Sequence, residues 1–186
     1  REGTGEQMNE TYDKIVDALG LDESAAEGED VRFSTVQEVN DKFNAELQQQ
    51  IEGTLPAGHV YQLGMPSGIL GSTGIANVPI QLNARRLEQK SKDFGHDYDL
   101  EEIKNLVLAL QRPIAVFAYG DKAKAQNIVV EIQHEGKNFI VGMSIRPTVG
   151  GNVLEVNSVR NVFPKDNAEW LNWITQRKSL YLDKQK

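Results

Sequence analysis

Val36, Val39, Phe43, Leu47 and Ile51 recur three or four residues apart and stop at Gly53, a stripe that predicts an amphipathic helix. Ser34 with Gln37 three residues on gives its start the pattern of a capping box. A shorter stripe, Tyr12, Ile15, Val16 and Leu19, predicts a helix over residues 9–19 that stops at Gly20, with residues 21–31 as an acidic linker between the two. After Gly53 the period changes. Residues 59–63 and 78–82 read as strands on either side of a glycine- and serine-rich loop at 64–74. Asn83 is placed to cap a basic helix running to about Lys92, and Asp99 with Glu102 to open another over residues 100–110.

Pro113 ends helical structure, and β-branched runs at 114–119, 127–133, 139–145 and 153–159 follow, with Glu135-Gly136 and Gly150-Gly151-Asn152 as the tightest reversals. Four short-linked strands in succession predict an antiparallel meander. A last helix starts near Asp166 and carries Trp170, Leu171 and Ile174 inward, before Leu180-Tyr181-Leu182. The fold class expected is α+β, with N-terminal helices packed on one face of a four-stranded antiparallel sheet and a C-terminal helix. Residues 1–54 read as an acidic helical extension and 55–186 as the main domain.

Charge sharpens that division. Residues 1–80 hold four basic and fourteen acidic residues and residues 81–186 hold sixteen and thirteen, so the net of −7 is the sum of −10 and +3. The second part can meet a polyanion that the average acidity would repel. One reading of the split is that the acidic helices cover the basic surface and mimic nucleic acid; the other is a solubilising linker.

The absence of cysteine excludes disulfides, thiol catalysis and cysteine-ligated metal. No apolar run reaches the roughly twenty residues of a membrane helix, and no signal peptide opens the chain, so the protein reads as soluble and cytoplasmic, without a membrane partner. It starts at Arg1 rather than at methionine and reads as part of a longer polypeptide. His59, His96 and His134 lie far apart and no metal-binding motif contains them, so no metal and no cofactor are expected. The 64–74 loop, GMPSGILGSTG, lacks the glycine-lysine-serine ending of a phosphate loop and reads as a loop packed by its own Ile69 and Leu70.

What remains is Lys90, Lys92, His96, Asn157, Ser158 and Arg160, with Arg85 and Arg86 on the basic helix. Metal-free cleavage of RNA needs one group to take the 2′-hydroxyl proton, one to protonate the leaving oxygen, and fixed cations for the charged phosphorane. Histidine titrates near neutrality and can do either proton transfer. Arginine offers phosphate a permanent, two-pronged charge. Alternation at the end of the last strand puts Ser158 and Arg160 on one face and Asn157 on the other. Plainer roles stay open beside these: His96 as a turn residue, the basic helix as a solvated face, Ser158 and Arg160 as a strand-end hydrogen bond and a surface ion pair, Trp170 and Trp173 as core anchors.

The phrases HVYQLGMPSGIL, PIQLNARRLEQK, FGHDYDL, RPIAVFAYG, NSVRNVFPKDN and WITQRKSLYLDKQK, in that order from Gly58 to Lys186, resemble the C-terminal domain of phage Mu F-type and polyvalent proteins of phages and conjugative elements. Such domains are similar to the barnase, EndoU, colicin and RelE-like (BECR) RNases, which place helices before a four-stranded antiparallel sheet. The resemblance implies a nuclease-type domain over 55–186 and a metal-independent endoribonuclease-like toxin or effector of a mobile element, delivered into a recipient cell. His96 would be general acid or base, Arg160 and Lys90 would stabilise phosphate, Ser158 would position substrate, and Arg85, Arg86, Lys92 and Asn157 would contact nucleic acid. RNA, tRNA included, would be the substrate, and an immunity or host protein a further partner. A non-catalytic nucleic-acid- or protein-binding module and a capsid-associated structural domain are the alternatives.

Overall fold

The computed structural model describes residues 25–95, 97–176 and 178–183. The helix expected at 9–19 lies outside them, and so does His96. Helix α1 spans Ala25–Glu52, starting before the expected Ser34 and taking in most of the expected acidic linker. Gly53, at φ 79°, ends it. Strand β1, Val60–Gly64, leads to the short helix α2, Gly68–Ser72, in which the Leu70 amide donates to the Ser67 hydroxyl at 3.3 Å. Leu70 is fully buried, which makes the 64–74 loop a packed connection.

Strand β2, Ile80–Asn83, runs into helix α3, Ala84–Ser91, whose cap is the expected one: the Arg86 amide donates to Asn83 Oδ1 at 3.0 Å. The Asp99/Glu102 capping box forms, but the helix expected over 100–110 is split into a 3₁₀ turn, Leu100–Ile103, and helix α4, Leu106–Gln111. Asn105 between them stands at φ 68°, held by α1: its amide donates to Asn44 Oδ1 at 2.8 Å, and its own Oδ1 accepts from Asn40 and Asn44 at 2.9 Å. Asparagine tolerates the left-handed conformation, and this cross-helix ladder fixes it there.

The remaining elements are β3, Ala115–Ala118; β4, Ala125–His134; β5, Lys137–Ile145; a hairpin of β6, Thr148–Val149, and β7, Asn152–Val153; β8, Asn157–Lys165; helix α5, Asn167–Thr175; and β9, Ser179–Leu182. The expected four-stranded antiparallel sheet is the inner part of a seven-stranded mixed sheet ordered β1-β2-β8-β5-β4-β3-β9. The meander β3-β4-β5-β8 is antiparallel throughout. Pairing then continues on both sides, since β2 lies parallel to the start of β8 and β9 antiparallel to β3, which satisfies backbone groups that a four-stranded sheet would leave open.

The fourth meander strand also runs later than expected. The turn at Gly150 and Gly151, both at positive φ, closes its own small hairpin around Val153, and β8 starts only at Asn157. It continues through Pro164, where proline is tolerated because β2 pairs with β8 only at Asn157 and Ser158 and the far half of this edge meets side chains, Arg86 at the Arg160 carbonyl and Tyr98 at the Val162 carbonyl.

The helices do not all sit on one face. Phe43 and Leu47 of α1, Leu87 of α3 and Leu106 and Leu110 of α4 join Val116, Ile128, Val141, Val159 and Val162 in one buried cluster on what we term the inner face. Helix α5 covers one end of the outer face, where Trp170 packs with Phe117, Val129 and Ile140 and Trp173 stands edge-on to Phe117 at 5.2 Å. Trp170 is buried as expected, whereas Leu171 and Ile174 are exposed: the two tryptophans define the helix's inward side.

Candidate functional site

Away from α5 the outer face turns polar. The strand register places Asn127 opposite Gly142 and Gly142 opposite Asn161; one rung further, Ser144 lies opposite Ser158, Ser158 beside Gln81, and Gln81 opposite Gln62. Among these strands β8 carries an irregularity that builds the site. Met143 pairs with Val159 but Gly142 with Asn161, so Arg160 is the extra residue of a bulge. Val159 and Val162 both point into the inner cluster, and Arg160 and Asn161 therefore share the outer face, with Ser158 on that face by alternation. Arg160 lies in the middle of β8 rather than at the end of a strand.

Gly142 makes room for both side chains. A Cβ there would lie 2.3 Å from Asn161 Oδ1 and 2.5 Å from Arg160 Nη2. Arg160 Nη2 donates to Asn127 Oδ1 at 2.9 Å, and the guanidinium lies 4.7 Å from the centroid of the Tyr119 ring. Arg86 of α3 donates to the Arg160 carbonyl at 3.4 Å. Among the described residues no carboxylate pairs with Arg160. Burial pushes its pKa down, and the neighbouring Tyr119 opposes that shift. Arg160 Nη1 and Asn161 Oδ1 are closed off from solvent with no hydrogen-bond partner. A half-buried cation that no described carboxylate balances is costly to keep, which marks this seat as a candidate for binding an anion.

Lys90 reaches the same neighbourhood from the end of α3. With Asp93, its ion-pair partner at 3.5 Å, it lines a small pocket of about 110 Å³ whose other walls are Asn161 and Phe163. The structure thus brings Lys90, Ser158 and Arg160 to β8 and its edge, with Arg86 bonded to the same strand. Three other expected contacts go elsewhere. Asn157 is fully buried, its Nδ2 donating to the carbonyls of Ala76 at 2.8 Å and Val78 at 3.1 Å, and it serves to pin the approach to β2. Arg85 lines a separate cavity of about 450 Å³ with Gln50, Leu55 and His59, between the end of α1 and α3. Lys92 pairs with Glu88 at 3.5 Å on the solvated side of α3.

The other two histidines are engaged, His59 Nε2 with Glu46 at 3.1 Å and His134 Nδ1 with Glu102 at 2.6 Å. Among the described residues no group of three or more histidine, aspartate or glutamate side chains is placed to hold a metal ion. Helix α1 lies on the inner face, opposite Arg160, so its described part does not cover the site as the acidic-cover reading expects. Asn127, Gly142, Asn161 and Tyr119 are the members that the sequence reading missed. Strict alternation assigns Asn161 to the wrong face, and only the bulge returns it.

Comparison with known families places this arrangement. The model of the phage MuF C-terminal domain matches residues 87–186, more than half of the chain. The chain belongs to the phage MuF C-terminal domain family. The matched part of this MuF domain runs from the middle of α3 through β9 and contains Lys90, His96, Tyr119, Ser158 and Arg160. No curated protein and no solved structure matches the chain. Among the described residues, no helix is long and apolar enough to cross a membrane.

Proposed function

We propose that this phage-associated domain acts on RNA, gripping the phosphodiester backbone on the polar part of its outer sheet face and cleaving it without a metal. The observation that carries the reading is Arg160: a half-buried guanidinium, seated by a bulge and a glycine, that holds Asn127 and Tyr119 but, among the described residues, no carboxylate. A phosphate oxygen is the natural counter-ion for it. Arg160 and Lys90 stabilise the charge of the phosphorane, Ser158 orients the backbone, and His96, three residues after Asp93, acts as general acid or base. What supports the likeness to the BECR RNases is the antiparallel meander β3-β4-β5-β8 within the larger sheet. In this reading residues 55–186 form the nuclease-type part, and an immunity or host protein would bind over the Arg160 face.

The test is incubation with total RNA and tRNA in chelator, reading fragment ends by phosphatase and kinase sensitivity, with binding followed in parallel. Wild type gives 2′,3′-cyclic or 3′-phosphate ends, and both His96→Ala and Arg160→Gln abolish them. Arg160→Gln also weakens RNA binding, whereas His96→Ala leaves it intact. Binding that depends on Arg160 without any cleavage would convert the reading to a non-catalytic RNA-binding module. Neither binding nor cleavage would leave a capsid-associated structural domain.

A further inference from the structure

We propose that Tyr119, backed by Arg160, is a stacking platform for an unpaired nucleobase, so that the ligand of this face is single-stranded rather than duplex RNA. The inference deepens the RNA reading above and rests on it. Tyr119 directly follows β3, where its amide donates to the Ala125 carbonyl at 3.2 Å and closes the loop of residues 120–124. Tyr119 as a residue is 58% exposed, although its ring lies against the guanidinium. A single exposed aromatic needs no role of its own; what sets this one apart is the guanidinium 4.7 Å from its ring centroid. The guanidinium beside the ring is itself tied to the sheet by the hydrogen bond that Arg160 Nη2 donates to Asn127 Oδ1.

The surroundings supply the charge a polyanion needs. Lys122 and Lys124 are exposed in the loop that Tyr119 closes, and Lys178 is exposed beside it, its carbonyl accepting from the Ala118 amide. The nearest acid in the loop, Asp121, is occupied in turning it, its Oδ1 accepting from the Ala123 amide at 3.0 Å. A phosphate beside Arg160 and these lysines carries a base within reach of the Tyr119 ring. In a duplex both faces of each base are already covered by neighbouring pairs, so only an unpaired base can stack on a protein ring. The cation beneath the ring adds to the attraction for bases and phosphate alike.

The test uses a fluorescent 2′-O-methyl RNA 12-mer, which has no 2′-hydroxyl to attack, as a single strand, as a blunt duplex and as a strand of abasic residues, with anisotropy as the readout. The single strand is expected to bind at least about tenfold more tightly than the duplex. Tyr119→Ala should weaken single-strand binding about tenfold and leave abasic-strand binding unchanged, while Tyr119→Phe, which keeps the ring, stays within about twofold of wild type. Equal binding of single strand and duplex, or Tyr119→Ala within twofold of wild type on the single strand, would overturn the platform. If Arg160→Gln still weakened all three probes in that case, the phosphate-gripping reading would survive alone. Failure of the wild-type domain to bind any probe would overturn both.

Discussion

Two neighbouring rungs of the sheet show how differently its faces are used. Val116, Ile128, Val141 and Val162 lie side by side across β3, β4, β5 and β8, all fully buried beneath the helices. One residue along, on the same strands, Phe117, Asn127, Gly142 and Asn161 form the corresponding outer rung. Phe117 is covered by the tryptophans of α5, and the other three are a polar amide, a glycine and a second amide around Arg160. The inner rung is chosen for apolar burial, worth about 1.5–3 kcal/mol for each large side chain. The outer rung gives up that gain to seat a cation, and in the proposed reading a ligand recovers the difference.

The strongest way to break this contrast is to exchange what each rung does. Ile128→Ala, on the inner rung, is expected to cost about 3 kcal/mol in urea unfolding, from lost burial and the cavity left behind. RNA affinity at temperatures where the variant is folded should not change. A loss under about 1 kcal/mol would mean that the inner face is not the core that its burial implies.

A smaller effect is expected at Gly142, where the two faces meet functionally. Gly142→Ala drives a methyl into Asn161 Oδ1 and Arg160 Nη2. Both are ends of movable side chains, so the fold yields by about 1–2 kcal/mol while the guanidinium is displaced. RNA affinity should therefore fall as far as in Arg160→Gln, although the charge remains. Wild-type affinity in this variant would show that the seat of Arg160 is unimportant.

How much of this contrast was legible in the sequence depends on whether a feature is periodic or accidental. The inner-face stripe Phe43, Leu47 and the strand valines are announced by spacing, and the Asn83 cap and the Asp99/Glu102 capping box by residue type. The outer site is not, because a bulge shifts the phase of β8 after Val159 and no local pattern marks it. Strands β1 and β2 are readable as strands but not as members of one sheet, since parallel pairing of β2 with β8 is a tertiary event, and β9 is not read as a strand at all. The full length of α1 is not legible because the acidic residues 21–31 carry no apolar stripe and read as a linker. Arg160 and Lys90 were chosen on residue chemistry and do come to one strand, whereas Asn157, chosen the same way, is fully buried against the carbonyls of Ala76 and Val78.

A smaller effect again is expected at Tyr98, which ties the segment after α3 to the inner face of β8. Its hydroxyl donates to the Val162 carbonyl at 2.7 Å and its ring stands edge-on to Phe139. Burial, reinforced by Glu102 and Asp93, holds its pKa well above the usual tyrosine value, and burial does the same for Tyr61 with Glu46 and Glu88. A raised folded pKa means that the folded state binds the proton more tightly. The stability it contributes is complete below about pH 10, the unfolded value, and is lost as pH rises beyond it. Tyr98→Phe should cost about 1 kcal/mol at neutral pH and make the decline above pH 10 shallower. An unchanged alkaline slope would show that Tyr98 does not carry it.

The smallest stability change is expected where the functional change is large. Arg160→Met keeps an unbranched apolar stem in the bulge and removes a half-buried charge that no described carboxylate balances. Loss of the Asn127 hydrogen bond and relief of the desolvation cost oppose each other, so unfolding free energy should move by less than about 1 kcal/mol in either direction. RNA affinity, in contrast, should fall and lose part of its dependence on salt, because one phosphate contact has gone. If Arg160→Met instead unfolded the domain like Ile128→Ala while sparing RNA affinity, the two rungs would be doing the same job and Arg160 would be a structural residue. Separation of the two readouts, stability kept and binding lost, is what an outer face kept for a ligand requires.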